Sequence, residues 1–188
     1  MLLATLVVST AGTVRCQQQD WSGDWVGYAT HWPGKNPLPE GTAIDFHIGP
    51  MPTTNHQCTD WKMKFSFEGI ILTQKPYMYC RGDNATDIWI DEGETPPSPR
   101  GSTFRLASWW MDGMLVCTFK YKGVQLSDTM RLSADGSTLT EEMITFTDTS
   151  APDPGRVVDT QPLDLDRFIF RRAEALLNAT STGSPTPP

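Results

Sequence analysis

Residues 104–121, FRLASWWMDGMLVCTFKY, place Asp112-Gly113 between two runs of alternating residues. An Asp-Gly pair supplies the two positive-φ residues of a type I′ turn, whose twist matches that of paired antiparallel strands. The turn sets the register: Met111 faces Met114, Trp110 faces Leu115, Ser108 faces Cys117, Leu106 faces Phe119 and Phe104 faces Tyr121. These pairs form one mostly apolar face, while Arg105 opposite Lys120 on the other is a like-charge pair suited only to water. The segment is predicted as a hairpin with one face in a core and one in solvent.

The same grammar extends in both directions. Gly, Pro, Asp and Asn punctuate the chain at short intervals, and the intervals are rich in aromatic and β-branched residues, which is the all-β signature. Strands are expected near Asp24–His31, Thr42–Ile48, Thr59–Phe67, Ile71–Cys80, Thr86–Ile90, Thr103–Met111, Met114–Tyr121, Val124–Leu132, Thr138–Thr147 and Arg167–Arg172. A second hairpin centred on Gly69, with the three-residue loop Glu68–Ile70, would pair Phe67 with Ile71, Phe65 with Thr73 and Trp61 with Tyr77. That register puts Cys58 opposite Cys80, where facing antiparallel positions meet disulfide geometry. A bridge closing such a loop contributes about 3 kcal/mol. Cys117 is then left as a free thiol on an apolar face, behaving as a small hydrophobe.

The chain has 188 residues, enough for one domain with a sizeable core. The apolar run from Leu2 to Val14 is too short to span a membrane and reads as a secretory signal over residues 1–16, with the domain over 17–175. Residues 176–188 form a Ser/Thr/Pro-rich tail expected to be disordered. The formal net charge of −7, with basic residues scattered, repels phosphate backbones and excludes nucleic acid as a partner. Two sequons, at Asn84 and Asn178, are candidate glycosylation sites in keeping with secretion.

Ten short strands joined mostly by short connections must hide their edges, and closure into an up-and-down barrel does so most completely. A two-sheet sandwich needs longer crossovers than the chain offers outside its Pro-rich loops. Gly23-Asp24-Trp25 resembles the Gly-x-Trp signature that opens the first strand of the calycin barrels, the lipocalins and fatty-acid-binding proteins. The resemblance implies that Trp25 plugs the closed end of the barrel and that a late-strand arginine, Arg167, Arg171 or Arg172, packs across its indole. The second lipocalin signature, Thr-Asp-Tyr, is missing, the nearest string being Thr147-Asp148-Thr149. What is resembled is the calycin architecture of about 8 to 10 strands, not the lipocalins proper.

For function the resemblance implies a secreted carrier with a small hydrophobic ligand, lipid-like or aromatic, in its lumen. Candidate lumen residues are Trp25, Trp61, Met63, Phe65, Phe67, Tyr77, Phe104, Leu106, Trp110, Phe119 and Tyr121. Leu115, Met130 and Met143 share those apolar faces, which would equally fill a solid core. The competing reading is an extracellular interaction domain engaging a cell-surface receptor through the loops at 32–42 and 92–102 or through Arg81-Gly82-Asp83. Asp45 and His47 share a strand face, but no Cys/His cluster at zinc spacing accompanies them. The acidic residues, Glu141 and Glu142 among them, read as surface, and no nucleophile motif or cofactor requirement stands out.

Overall fold

The computed structural model describes residues 19–31, 38–83, 87–91, 105–121, 124–148 and 159–174. The expected signal segment, the sequons at Asn84 and Asn178, Phe104, most of the two Pro-rich loops and the Ser/Thr/Pro-rich C-terminal stretch lie outside them, as do the side chains of Leu106 and Tyr121.

The chain is an all-β antiparallel sheet. Its strands are β1 (Gly23–His31), β2 (Ala43–Ile48), β3 (Cys58–Phe67), β4 (Ile70–Arg81), β5 (Asp87–Asp91), β6 (Arg105–Met111), β7 (Met114–Tyr121), β8 (Val124–Leu132), β9 (Thr138–Asp148) and β10 (Thr160–Arg172). Each pairs with its sequence neighbours, and β1 pairs with β10, so the sheet curls until its two ends meet as a closed barrel. Pairing of β1 with β10 gives both end strands a partner and so removes the free edges an open sheet would have there.

Asp112 and Gly113 both have positive φ, at 48° and 74°, and the expected register holds from Met111↔Met114 to Ser108↔Cys117. Beyond that point Leu106 is paired with Ile90 of β5. In the β3–β4 hairpin Phe65 faces Thr73, Trp61 faces Tyr77 and Cys58 faces Cys80. Cys58 and Cys80 are bridged, with Cα atoms 4.0 Å apart.

The tip of that hairpin corrects the expectation. The turn has two residues, Glu68 and Gly69, with φ of 50° and 79°, so Phe67 faces Ile70 rather than Ile71. A bulge then restores the register: Ser66 faces Ile71, Phe65 faces Thr73, and Leu72 is the extra residue. The two-residue turn has the twist that a hairpin prefers, and one inserted residue returns β4 to the parity that buries Tyr79.

β10 also begins earlier than expected, at Thr160 instead of Arg167. Pro162 and two acidic residues, Asp164 and Asp166, hide this part of the strand from pattern reading, and its register against β9 shifts between Pro162 and Asp164. A bulge is one of the places where a strand tolerates proline.

Candidate functional site

One end of the barrel is plugged by aromatic residues. Gly27 and Ala29 follow Trp25 at every second position of β1, and Trp25 and Ala29 are buried. Small side chains there let β10 approach, and a Cβ on Gly27 would lie 2.2 Å from the Ile169 carbonyl oxygen. Trp25 donates through Nε1 to the Trp21 carbonyl at 3.0 Å. Trp21 in turn packs edge-on against Trp110, with centroids 4.7 Å apart, and Trp110 donates to the Tyr79 hydroxyl at 2.7 Å. Burial pushes the Tyr79 hydroxyl well above its ordinary pKa.

Arg172 seals this plug. Its guanidinium carbon stands 4.4 Å from the Trp25 ring centroid. Nη1 donates to the Ser22 carbonyl at 2.8 Å, Nη2 to Asp20 at 3.0 Å and Nε to Gly136 at 3.1 Å. Of the three candidate arginines it is the one over the indole; Arg167 instead pairs with Glu142 on the outer surface.

Above the plug lies a cavity of about 700 Å³ that reaches the opposite end of the barrel, where Leu38 and Pro39 of the β1–β2 connection contribute to its wall. Five of the expected lumen residues, Trp61, Met63, Phe65, Tyr77 and Phe119, line it. Trp25 and Trp110 belong instead to the plug, and Phe67 stays off the wall beside the turn. Leu72, Leu126, Met143 and Phe168 complete the apolar lining.

The wall also carries charge that the sequence reading assigned to the surface or passed over. Asp128 on β8, Glu141 on β9 and Asp166 on β10 line the cavity. Asp128 and Asp166 both face Met143 across their ladders, and Glu141 lies two residues earlier on β9, between Met130 and Phe168. Glu141 is 6% exposed and Asp166 5%. Glu141 and Asp128 share a hydrogen bond, while Glu141 Oε2 and Asp128 Oδ1 are enclosed and have no hydrogen-bond partner among the described residues.

Burial drives both acids toward the neutral form. Asp128 is pushed up to about 7 by burial, partly offset by its hydrogen bond to Glu141. Glu141 is held well above the carboxylate range by burial first and by the neighbouring Asp128 second, with Lys75 pulling the other way. Lys75 lines the facing wall, its Nζ 5.5 Å from the Tyr77 ring centroid. Cys117, free and buried, adjoins Asp128 on β7, and burial raises its thiol pKa. The arrangement can retain a proton at neutral pH and can accept hydrogen bonds from a donor entering the lumen.

The signal for these acids was parity. Asp128 stands two residues from Leu126 and Met130, Glu141 two from Leu139 and Met143, and Asp166 two before Phe168, so each shares the inward face.

The other candidates lie outside the barrel. His47 Nδ1 is 2.6 Å from Asp24 and Nε2 is 4.0 Å from Asp60, while Asp45 pairs with Lys64. Among the described residues no group of three or more His, Cys, Asp or Glu is placed to hold a metal ion. Arg81-Gly82-Asp83 is tied into the framework: the Arg81 backbone exchanges hydrogen bonds with His56 and Gln57. Gly82 is buried, and Asp83 Oδ1 lies 2.7 Å from His56 Nε2.

No protein-family model matches the chain, and no curated protein matches it in sequence. No helix among the described residues is long and apolar enough to cross a membrane.

Proposed function

We propose that the chain is a secreted, calycin-type carrier that holds a small molecule with an apolar body inside its barrel. The observation that carries this reading is the cavity of about 700 Å³, walled by Met and aromatic side chains above a sealed end. A cavity of this size suits a drug-sized or lipid-sized ligand, and methionine and aromatic walls adapt to varied shapes. The Trp25–Arg172 stack supports the calycin resemblance, and the Cys58–Cys80 bridge accords with an oxidising compartment.

The test is a fluorescence titration of the full chain with Nile red, followed by displacement with retinol and fatty acids. Trp61 lines the cavity, so occupancy is expected to change intrinsic emission as well. Met63→Trp, which fills part of the lumen, is expected to weaken dye binding at least about tenfold without lowering the melting temperature much. Failure of every probe to perturb emission would overturn the carrier reading.

A further inference from the structure

We propose that the ligand of this cavity carries a protonated amine, seated on Glu141 and Asp128 beside Asp166, with its apolar body against Met63, Phe65 and Phe119. The inference rests on the carrier reading and adds the chemical class of the ligand. Its starting point is Glu141, a side chain 6% exposed that lines the cavity and whose Oε2 has no hydrogen-bond partner among the described residues. Asp128 Oδ1 is in the same condition. A buried acceptor left unmatched is costly, and an isolated buried carboxylate is more so. An ammonium group presents several N–H donors and a compensating charge, and charge-assisted hydrogen bonds are the strong ones.

The other charged and titratable groups lining the lumen decide the sign. They are Lys75 and Tyr77 on β4, Cys117 on β7 and Asp166 on β10. Lys75 is a single cation opposite three carboxyl groups. An anionic head group drawn to it would face all three acids across the same lumen, whereas a cation would be opposed by Lys75 alone. A neutral alcohol could use the free acceptors but would gain nothing from charge.

Binding an ammonium favours the ionised form of the acids, so amine uptake near neutral pH is expected to release protons to the buffer. Their raised pKa values support this, Asp128 standing at about 7 and Glu141 well above the carboxylate range.

The experiment compares phenylbutylamine, phenylbutanol and phenylbutyrate, which share one apolar body, by calorimetric titration of the full chain at about pH 7.5 in two buffers of different ionisation enthalpy. The amine is expected to bind at least about tenfold more tightly than the alcohol, with proton release seen for the amine only. Glu141→Gln combined with Asp128→Asn is expected to bring the amine to within about twofold of the alcohol. Lys75→Met, which keeps the acids intact, is expected to widen the amine preference, and it serves as the test should the double variant fail to fold. The proposal is overturned if phenylbutyrate binds tightest, if the amine shows no gain over the alcohol, or if the amine preference survives the double variant. Should Nile red still enter in any of these cases, the carrier reading stands and the amine assignment alone is lost. If neither the dye nor any phenylbutyl probe binds, both fall.

Discussion

Arg172 is a single side chain that joins three segments, donating to carbonyls of Asp20, Ser22 and Gly136 while covering Trp25. Lysine would keep the charge but lose the planar fork that reaches three acceptors at once. Arg172→Lys is therefore expected to lower stability by about 1–3 kcal/mol, read as a shift of the urea midpoint with little change in slope. Gly27 acts through what it lacks. Its missing Cβ would stand 2.2 Å from the Ile169 carbonyl oxygen and 2.8 Å from the Phe170 ring, so the contact is with backbone and cannot be relieved by a rotamer change. Gly27→Ala is expected to cost about 1–3 kcal/mol, the range for overpacking a tight site, and a thermal melt of the variant checks it. Arg172 was one of three arginines that the calycin resemblance put forward, but which of them would cover the indole depended on the exit angle of β10, and no residue pattern states that angle.

At the level of elements, turn chemistry was the most legible feature. Asp112-Gly113 announced its hairpin because both residues suit positive φ, and four pairs of its register followed. Glu68-Gly69 was harder to recognise, since glutamate rarely adopts the left-handed region in which it stands at φ 50°. Taking Gly69 as the centre of a longer loop still found Cys58 opposite Cys80, because the bulge at Leu72 adds back the residue that the shorter turn removes. Glu68→Asn is expected to stabilise the protein by a few tenths to about 1 kcal/mol, because asparagine tolerates that backbone conformation better, and the measurement is again the denaturation midpoint. Peptide mapping without reduction is expected to recover Cys58 joined to Cys80, with Cys117 alkylated only after unfolding. Recovery of Cys117 in a bridge would contradict the strand order, because it stands on β7 facing into the lumen.

At the scale of the whole molecule, the barrel was legible because short connections and edge protection leave few alternatives, whereas the acidic wall of the lumen was not. Composition made Glu141 look like one more surface carboxylate in an acidic protein; parity puts it on one face with Asp128 and Asp166 of the neighbouring strands, and closure of the ring makes that face the wall of a lumen. That placement has a consequence for stability. Asp128 and Glu141 have folded-state pKa values raised above those of an unfolded chain, so the folded state binds more protons than the unfolded state and loses stability as pH rises. For Asp128 the loss begins above about pH 4, where the unfolded carboxyl ionises, and is complete just above about 7; Glu141 extends it to higher pH. The ligand-free protein is thus expected to melt at a lower temperature at pH 8 than at pH 5. Asp128→Asn and Glu141→Gln cannot ionise, and each is expected to narrow that difference. The double variant is expected to gain on the order of a few kcal/mol over the wild type at the alkaline end and little at the acid end. Melting curves of the four proteins across this range provide the check, and a wild type that grows steadily more stable from pH 5 to 8 while the variants run parallel to it would refute the burial of these two acids.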